Sequence, residues 1–314
     1  MIYSDNIFKT FYLCLTNKCN LNCEYCYIHK KDKTNQKDVM ELGDMIYAIK
    51  SANPQYVIIT GGEPLLYPNQ IIALQRSFKV NDSCHWNTTL CSNLYYKDLT
   101  KEQLEAISMV DSLQTSYSID RELIDEDIVD IIGRNVETIR KNCKNIKNIS
   151  VIWTITPNQL NHYFKDECDK LLSLDINGIQ LEAISYTSDM NFNWDAYYQE
   201  FDNYALKCCK YIPEERNDLY WQWSSALDNH LNSLHCNICN LGCAVTYENN
   251  KLMNRCNCII EKVERKDKFR DYCLDCDLYK YCKMDCERFG NYCGFPKKTF
   301  KYYMEKIRKE EIKP

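Results

Sequence analysis

The stretch IFKTFYLCLTNKCNLNCEYCY, residues 7–27, decides the fold class. Its first half, IFKTFYLCL (7–15), is a β-branched and aromatic run that reads as a strand. Its second half sets cysteines at 19, 23 and 26, a CxxxCxxC spacing one ligand short of an ordinary tetrahedral metal site. A strand running straight into a ligand-bearing loop is typical of an α/β protein, whose functional groups gather at the C-terminal ends of its strands.

Outward from this stretch the pattern repeats. Five further strand-like runs follow: YVIIT (56–60), HWNTTLC (85–91), LQTSYSI (113–119), ISVIWTI (149–155) and GIQLEAI (178–184). Helical periodicity fills the intervals at 39–50, 69–78, 104–109, 126–143 and 162–174, the third behind a capping box at Thr100 and Gln103. The alternation predicts a parallel sheet, either doubly wound or closing toward a barrel, and six units make only part of an eight-unit barrel. Residues 191–235 read as a bridge of two aromatic-rich helices broken at Pro213. A cysteine-rich segment (236–295) and a terminal amphipathic helix, KKTFKYYMEKIRKE (297–310), complete the chain. The expected segments are a core at 1–190, the bridge at 191–235, a cysteine-rich domain at 236–295 and a C-terminal helix at 296–314.

At 314 residues the chain is long enough for a main domain plus an appendage. Its net charge of −5 supplies no basic field for neutralising phosphates, which argues against a nucleic-acid partner. The beginning lacks an export signal and no apolar run reaches membrane-spanning length, so a soluble, cytoplasmic protein with no membrane partner is expected. Ten of the 20 cysteines fall between Cys236 and Cys293. In a reducing compartment, thiolates held by metal explain that clustering better than a disulfide framework.

Two readings of the 19–26 loop stay open on the residues alone. One is a structural zinc site completed by His29; the other is an iron–sulfur cluster whose three thiolates leave one iron free for a ligand. TGGEP (60–64) at the end of the second strand bears on the choice. Paired glycines permit close backbone approach by a ligand, and Glu63 can accept hydrogen bonds from an ammonium group, although a plain strand-to-helix turn has the same composition.

Together, CxxxCxxC after strand one and GGEP after strand two resemble the radical S-adenosylmethionine (SAM) superfamily. The resemblance implies a partial (β/α)6 TIM barrel and a [4Fe–4S] cluster on Cys19, Cys23 and Cys26, with the free iron chelating the amino and carboxylate groups of SAM. It also implies that Gly61, Gly62 and Glu63 sit on the methionine end of SAM and Tyr25 near its adenine. Ser118 and Asp120 of YSID (117–120) resemble the family's Ser-x-Asp element beside SAM. Arg134 is either a partner of the SAM carboxylate or an ordinary solvated arginine, and Thr154 and Thr156 either touch the ribose or reflect β-propensity.

CLDCDLYKYCKMDCERFGNYC (273–293) resembles the SPASM extension of radical SAM enzymes, which carries two auxiliary [4Fe–4S] clusters. A zinc ribbon would leave its fifth cysteine unexplained. The resemblance implies one cluster on Cys273, Cys276, Cys282 and Cys293, and another on Cys286, Cys243 and Cys256 with Cys239 or Cys236 as the fourth ligand. Cys258 is surplus. Asn249 and Asn250 replace the family's turn glycine, and Asn257 stands where sulfatase-maturing members have a basic aspartate.

The activity implied is reductive cleavage of SAM to methionine and a 5′-deoxyadenosyl radical, followed by hydrogen abstraction from a peptide carbon. Maturation of a ribosomally made peptide by a thioether or carbon–carbon crosslink, or by epimerisation, is the expected outcome. Only 18 residues precede Cys19, so a separate leader-binding protein or direct peptide binding is expected, with flavodoxin or ferredoxin as electron donor. Cys14 and Cys91, near strand ends, are either hydrogen donors for epimerisation or small hydrophobes. The alternatives are protein oxidation of the sulfatase-maturase kind, a ferredoxin-like electron carrier, and a zinc-dependent interaction module.

Overall fold

A computed structural model of the protein describes residues 10–26, 39–79, 86–122, 128–184, 193–215, 220–223, 244–248, 251–254 and 297–308. Strands β1 (Thr10–Thr16), β2 (Tyr56–Gly61), β3 (Asn87–Ser92), β4 (Ser112–Tyr117), β5 (Asn148–Ile155) and β6 (Gly178–Ala183) fall where the six runs predict them. The helices α1 (Leu42–Ala52), α2 (Pro68–Lys79), α3 (Lys101–Ser108), α5 (Ile128–Asn142) and α7 (Phe164–Leu172) fill the intervals. One-turn helices α4 (Ile119–Glu122) and α6 (Pro157–Leu160) follow β4 and β5 directly. The capping box forms as predicted: Thr100 Oγ1 accepts from the Gln103 amide at 3.2 Å, and Gln103 Oε1 accepts from the Thr100 amide at 2.9 Å.

The strands pair in the order β7-β6-β5-β4-β3-β2-β1-β8-β9, and every neighbouring pair from β7 to β8 is parallel. From β1 to β6 the order is monotonic. Right-handed crossovers that always step the same way place every helix on one face, which is the winding of a barrel; a doubly wound sheet reverses direction at its switch point.

Alternation along the strands then separates two environments. The helix-facing side carries Phe11, Leu13, Val57, Ile59, Leu90, Leu113, Val151, Trp153 and Leu181, all fully buried in one continuous core. Trp153 shows how that core fastens the helices. Its indole donates to Gln159 Oε1 at 3.2 Å and meets Tyr204 edge-on at 5.8 Å. Removing so large a buried ring costs about 3–5 kcal/mol.

The bridge differs from its sequence reading. One unbroken helix, α8 (Trp194–Glu215), runs through Pro213, and Tyr220–Trp223 is a strand, β7, paired in parallel with β6. Pro213 lies in the last turn, near the end of the helix. The aromatic run YWQW suits a half-buried strand as well as a helix face, and the open edge of β6 decides between them. Strands β8 (Ala244–Glu248) and β9 (Lys251–Asn254) extend the other edge beside β1. The terminal helix, α9 (Lys297–Arg308), docks on α8 through Asp202, which accepts from the Lys298 and Thr299 amides at 2.7 and 3.0 Å.

Candidate active site

The cysteine loop leaves β1 through an irregularity in pairing between Cys14 and Thr16. Thr16 Oγ1 then accepts from the Lys18 amide at 3.0 Å, a local turn that swings the chain over the sheet. Within the loop the Cys26 amide donates to the Cys23 carbonyl at 3.0 Å, and the Leu21 amide approaches Cys19 Sγ at 3.4 Å. Cys23 is buried, while Cys19 and Cys26 are half-buried.

The end of β2 lies directly beneath this loop. The Gly62 amide donates to the Thr16 carbonyl at 2.6 Å and the Glu63 amide to the Lys18 carbonyl at 2.8 Å. A Cβ at Gly61 would collide with the Thr16 carbonyl oxygen, and one at Gly62 with that of Lys18; Gly61 also has φ +146°, a region L side chains rarely adopt. The paired glycines therefore admit the close approach of the chain's own backbone as it runs into Cys19.

Glu63 is fully buried, and its oxygens are engaged by the chain itself. Oε1 accepts from the Leu65 amide at 2.9 Å and the Ser92 hydroxyl at 2.8 Å, and Oε2 accepts from the Asn93 amide at 2.7 Å. Burial pushes this carboxyl above its ordinary value, against the downward pull of those donors. The hydroxyl of Tyr96 is buried beside it without a well-formed hydrogen bond, and burial together with the Glu63 charge pushes that phenol up. Glu63 ties the end of β2 to the end of β3.

That tie reaches the cysteines through Asn93, whose side-chain amide donates to Asn20 Oδ1 at 2.8 Å and lies 3.7 Å from Cys19 Sγ. Asn20 Nδ2 in turn donates to the Tyr95 carbonyl at 2.9 Å. Leu94, buried with φ +52°, is held in this left-handed conformation by Asn135 of α5, which donates to the Leu94 and Tyr96 carbonyls at 2.9 and 2.8 Å. A bulky residue in that region costs on the order of 1–3 kcal/mol and persists because its surroundings over-determine it.

On the opposite side of the loop lies the end of β4. Ser118 is fully buried, and its Oγ accepts from the Asp120 amide at 3.3 Å. Asp120 accepts from Asn158 Nδ2 at 2.9 Å. Burial pushes the Tyr25 phenol up to about 12, with the Arg121 charge pulling against it. Arg121 is itself buried within electrostatic reach of Tyr25, Cys23 and Cys19.

These residues suit an iron–sulfur cluster. Three thiols share one loop, and burial, reinforced by the nearby Glu63, Cys23 and Cys26 charges, pushes the Cys19 thiol up. A thiol that resists ionisation is relieved by a cation of soft character. Among the described residues no three histidine, cysteine or acidic side chains converge on one ion position. His29 lies outside the described residues.

The family model of the radical SAM superfamily matches residues 13–174, from β1 through α7. The chain belongs to the radical SAM superfamily. It is similar to a probable GTP 3′,8-cyclase of Methanococcus maripaludis, 25% identical over 182 residues, or 56% of this chain and 54% of the relative. The chain spans about half or less of the length of the curated relatives it matches. Its fold resembles that of Streptococcus suis SuiB bound to S-adenosylmethionine, with TM-score 0.61 at 14% identity over 88% of this chain and 72% of SuiB. It also resembles anSMEcpe with bound AdoMet, with TM-score 0.61 at 16% identity over 87% of this chain and 88% of the other.

The superfamily's chemistry uses SAM and a [4Fe–4S] cluster, and the radical SAM core of this chain brings Cys19, Cys23, Cys26, Tyr25, Gly61, Gly62, Glu63, Ser118 and Asp120 to the C-terminal ends of β1, β2 and β4. Arg134 is exposed on α5. Thr156 is the N-cap of α6, accepting from the Gln159 amide, so its placement has a local cause in helix capping. The expected auxiliary-cluster ligands Cys236, Cys239, Cys243, Cys256, Cys273, Cys276, Cys282, Cys286 and Cys293, with the surplus Cys258, lie outside the described residues.

Sequence reasoning missed the interior of the radical SAM barrel. The face turned away from the helices carries Thr89, Cys91, Gln114, Ser116, Ser150, Thr154, Gln180 and Glu182 beside Ile58 and Ile152, a more polar lining than the branched aliphatics of an eight-stranded barrel. Cys91 Sγ lies 3.5 Å from Gln114 Oε1, Gln114 Nε2 donates to Gln180 Oε1 at 3.3 Å, and Gln180 Nε2 to Glu182 Oε1 at 2.9 Å. The alternation of Gln114 and Gln180 with buried Leu113 and Leu181 was the available signal. Cys14 also faces inward, hydrogen-bonded near Thr16 and Asn17.

Proposed function

We propose that this radical SAM enzyme modifies a peptide. The observation that carries the reading is the barrel interior: a row of carboxamides ending in one carboxylate, with no lysine or arginine at the inward positions of β1 to β6 and the buried guanidinium of Arg121 held on Ser116 at the end of β4. Side-chain amides pair with peptide N–H and C=O groups by donating and accepting at once. A nucleoside triphosphate would call for cations there. The printed descriptions of the two structural neighbours agree, since SuiB is seen with precursor peptide SuiA and anSMEcpe with the Cp18Cys peptide. Both likenesses cover nearly nine-tenths of this chain, so they reach beyond the barrel into the elements that follow residue 190.

In this reading Cys19, Cys23 and Cys26 hold the [4Fe–4S] cluster, which, when reduced with SAM bound, supplies the radical that abstracts a substrate hydrogen. Gly61 and Gly62 fix the height of the loop above the sheet. Tyr25, Gly61, Gly62, Glu63, Ser118, Asp120 and Arg134 contact SAM, the glycines and Glu63 at its methionine end. The SPASM cysteines, Cys273, Cys276, Cys282 and Cys293 for one auxiliary cluster and Cys286, Cys243, Cys256 and Cys239 for the other, carry electrons to or from the peptide. A flavodoxin or ferredoxin delivers the initiating electron, and a leader-binding protein serves the peptide where the chain does not bind it directly. The modification is a thioether or carbon–carbon crosslink, or an epimerisation for which the inward Cys91 is placed to return hydrogen.

Anaerobic reconstitution followed by SAM, reductant and either candidate precursor peptides or GTP tests this. A peptide mass loss of two hydrogens, or unchanged mass with inverted chirality, is the expected result. A cyclised nucleotide with untouched peptides would overturn the reading and place the chain with its GTP-cyclising relative.

A further inference from the structure

Arg121, on α4 at the end of β4, is only 8% exposed, and the functional reading above gives it no task. Its Nη1 donates to the Ser116 carbonyl and its Nη2 to Ser116 Oγ at 3.1 Å. Its Nε is buried without a nitrogen or oxygen partner, and the guanidinium lies at the margin of hydrogen-bond reach of the Cys23 thiol. No carboxylate forms an ion pair with it among the described residues. A guanidinium withdrawn from water onto one carbonyl and one hydroxyl is strongly uncompensated, and buried charges persist where an opposite charge meets them.

The ionisable groups facing it are the Tyr25 phenol and the thiols of Cys23 and Cys19. The cysteine loop is therefore the element that can bring negative charge to the guanidinium. Three thiolates on a [4Fe–4S] core are net anionic, and one-electron reduction adds to that charge. Cluster potentials respond to net charge, nearby hydrogen bonds and burial.

We infer that Arg121 is the buried counter-cation of the cluster held by Cys19, Cys23 and Cys26: its guanidinium, anchored by Ser116, neutralises the Cys23 side of the loop and eases the cluster's reduction. Arg121 is thus a positioning and tuning residue that acts through the thiolates. The inference rests on the cluster assignment but is independent of the substrate.

Full-length reconstituted protein without SAM tests it, using Arg121→Gln and Arg121→Lys. Three quantities are read: iron and sulfide per chain, thermal melting, and the midpoint potential of the paramagnetic signal that Cys23→Ala removes. Arg121→Gln should disfavour reduction at least tenfold, which is 59 mV to lower potential for one electron. Arg121→Lys, which keeps the charge, should shift it less than half as far. Loss of iron from Arg121→Gln alone, restored in Arg121→Lys, also supports the assignment. An unchanged potential in iron-replete Arg121→Gln would overturn it, including where SAM binding weakens, since the residue would then be a SAM anchor. Loss of iron from both variants with unchanged melting would overturn it too. Absence of the Cys23-dependent signal in the wild type would refute the cluster assignment before Arg121 is reached.

Discussion

Two buried charges border the cysteine loop and are treated in opposite ways. Glu63, at the end of β2, has both oxygens engaged by donors from its own turn and from β3. Arg121, at the end of β4, has its terminal nitrogens on one serine, no carboxylate beside it among the described residues, and the Cys23 thiol facing it. The carboxylate is compensated by the chain and therefore builds the scaffold; the guanidinium is not, and is completed only by something the loop holds. A buried charge that is satisfied explains a fold, whereas one left open points at a ligand.

The largest effect should come from the loop that both charges serve. Alanine at Cys19, Cys23 or Cys26 should take SAM cleavage below detection by chromatography of 5′-deoxyadenosine while the circular dichroism of the barrel stays native. Cleavage surviving in any one of the three would remove that cysteine from the ligand set.

The scaffold side comes next. Glu63→Ala strips acceptors from the Leu65 and Asn93 amides and the Ser92 hydroxyl, and should cost roughly 3 kcal/mol or more, at about 1–3 kcal/mol per orphaned buried donor. Denaturant titration measures it, and a loss under 1 kcal/mol would show that the donors find water. Gly62→Ala forces a methyl group against the Lys18 carbonyl and should cost about 1–3 kcal/mol with reduced iron loading. Stability and loading that stay at wild-type level would mean the β1 loop yields freely.

Smallest at neutral pH is Tyr25→Phe, which deletes a buried hydroxyl without a hydrogen-bond partner and should change stability by under about 1 kcal/mol. It should matter only in alkali. The folded phenol sits near 12 and the unfolded one near the ordinary value of 10, so its stabilising contribution is complete below pH 10 and is lost as pH rises toward 12. The difference between wild type and Tyr25→Phe isolates that limb, and parallel curves would show that Tyr25 is not shielded.

Much of this was legible in the chain. Six strands and five helices announced themselves through periods of two and 3.6, and the Thr100 capping box through its spacing, because each depends on neighbours a few residues away. CxxxCxxC and GGEP marked the right strand ends for the same reason. The edge strand Tyr220–Trp223 was not legible, because an aromatic run has no strand identity until β6 offers its free edge. The crowding at Gly61 and Gly62 was not legible either, since the backbone that packs on them comes from β1 and its loop, more than forty residues earlier.

By itself, then, the sequence determined the order and kind of the elements, the ligand-bearing loop and the class of chemistry, all encoded in local spacing. Only the tertiary structure decided that Glu63 ties β2 to β3, that Asn93 and Arg121 reach the cysteines, and that Gln114 and Gln180 line one interior row. These facts depend on which strands lie side by side. Parallel pairing brings together residues 30 to 66 positions apart, and no local period records such a meeting.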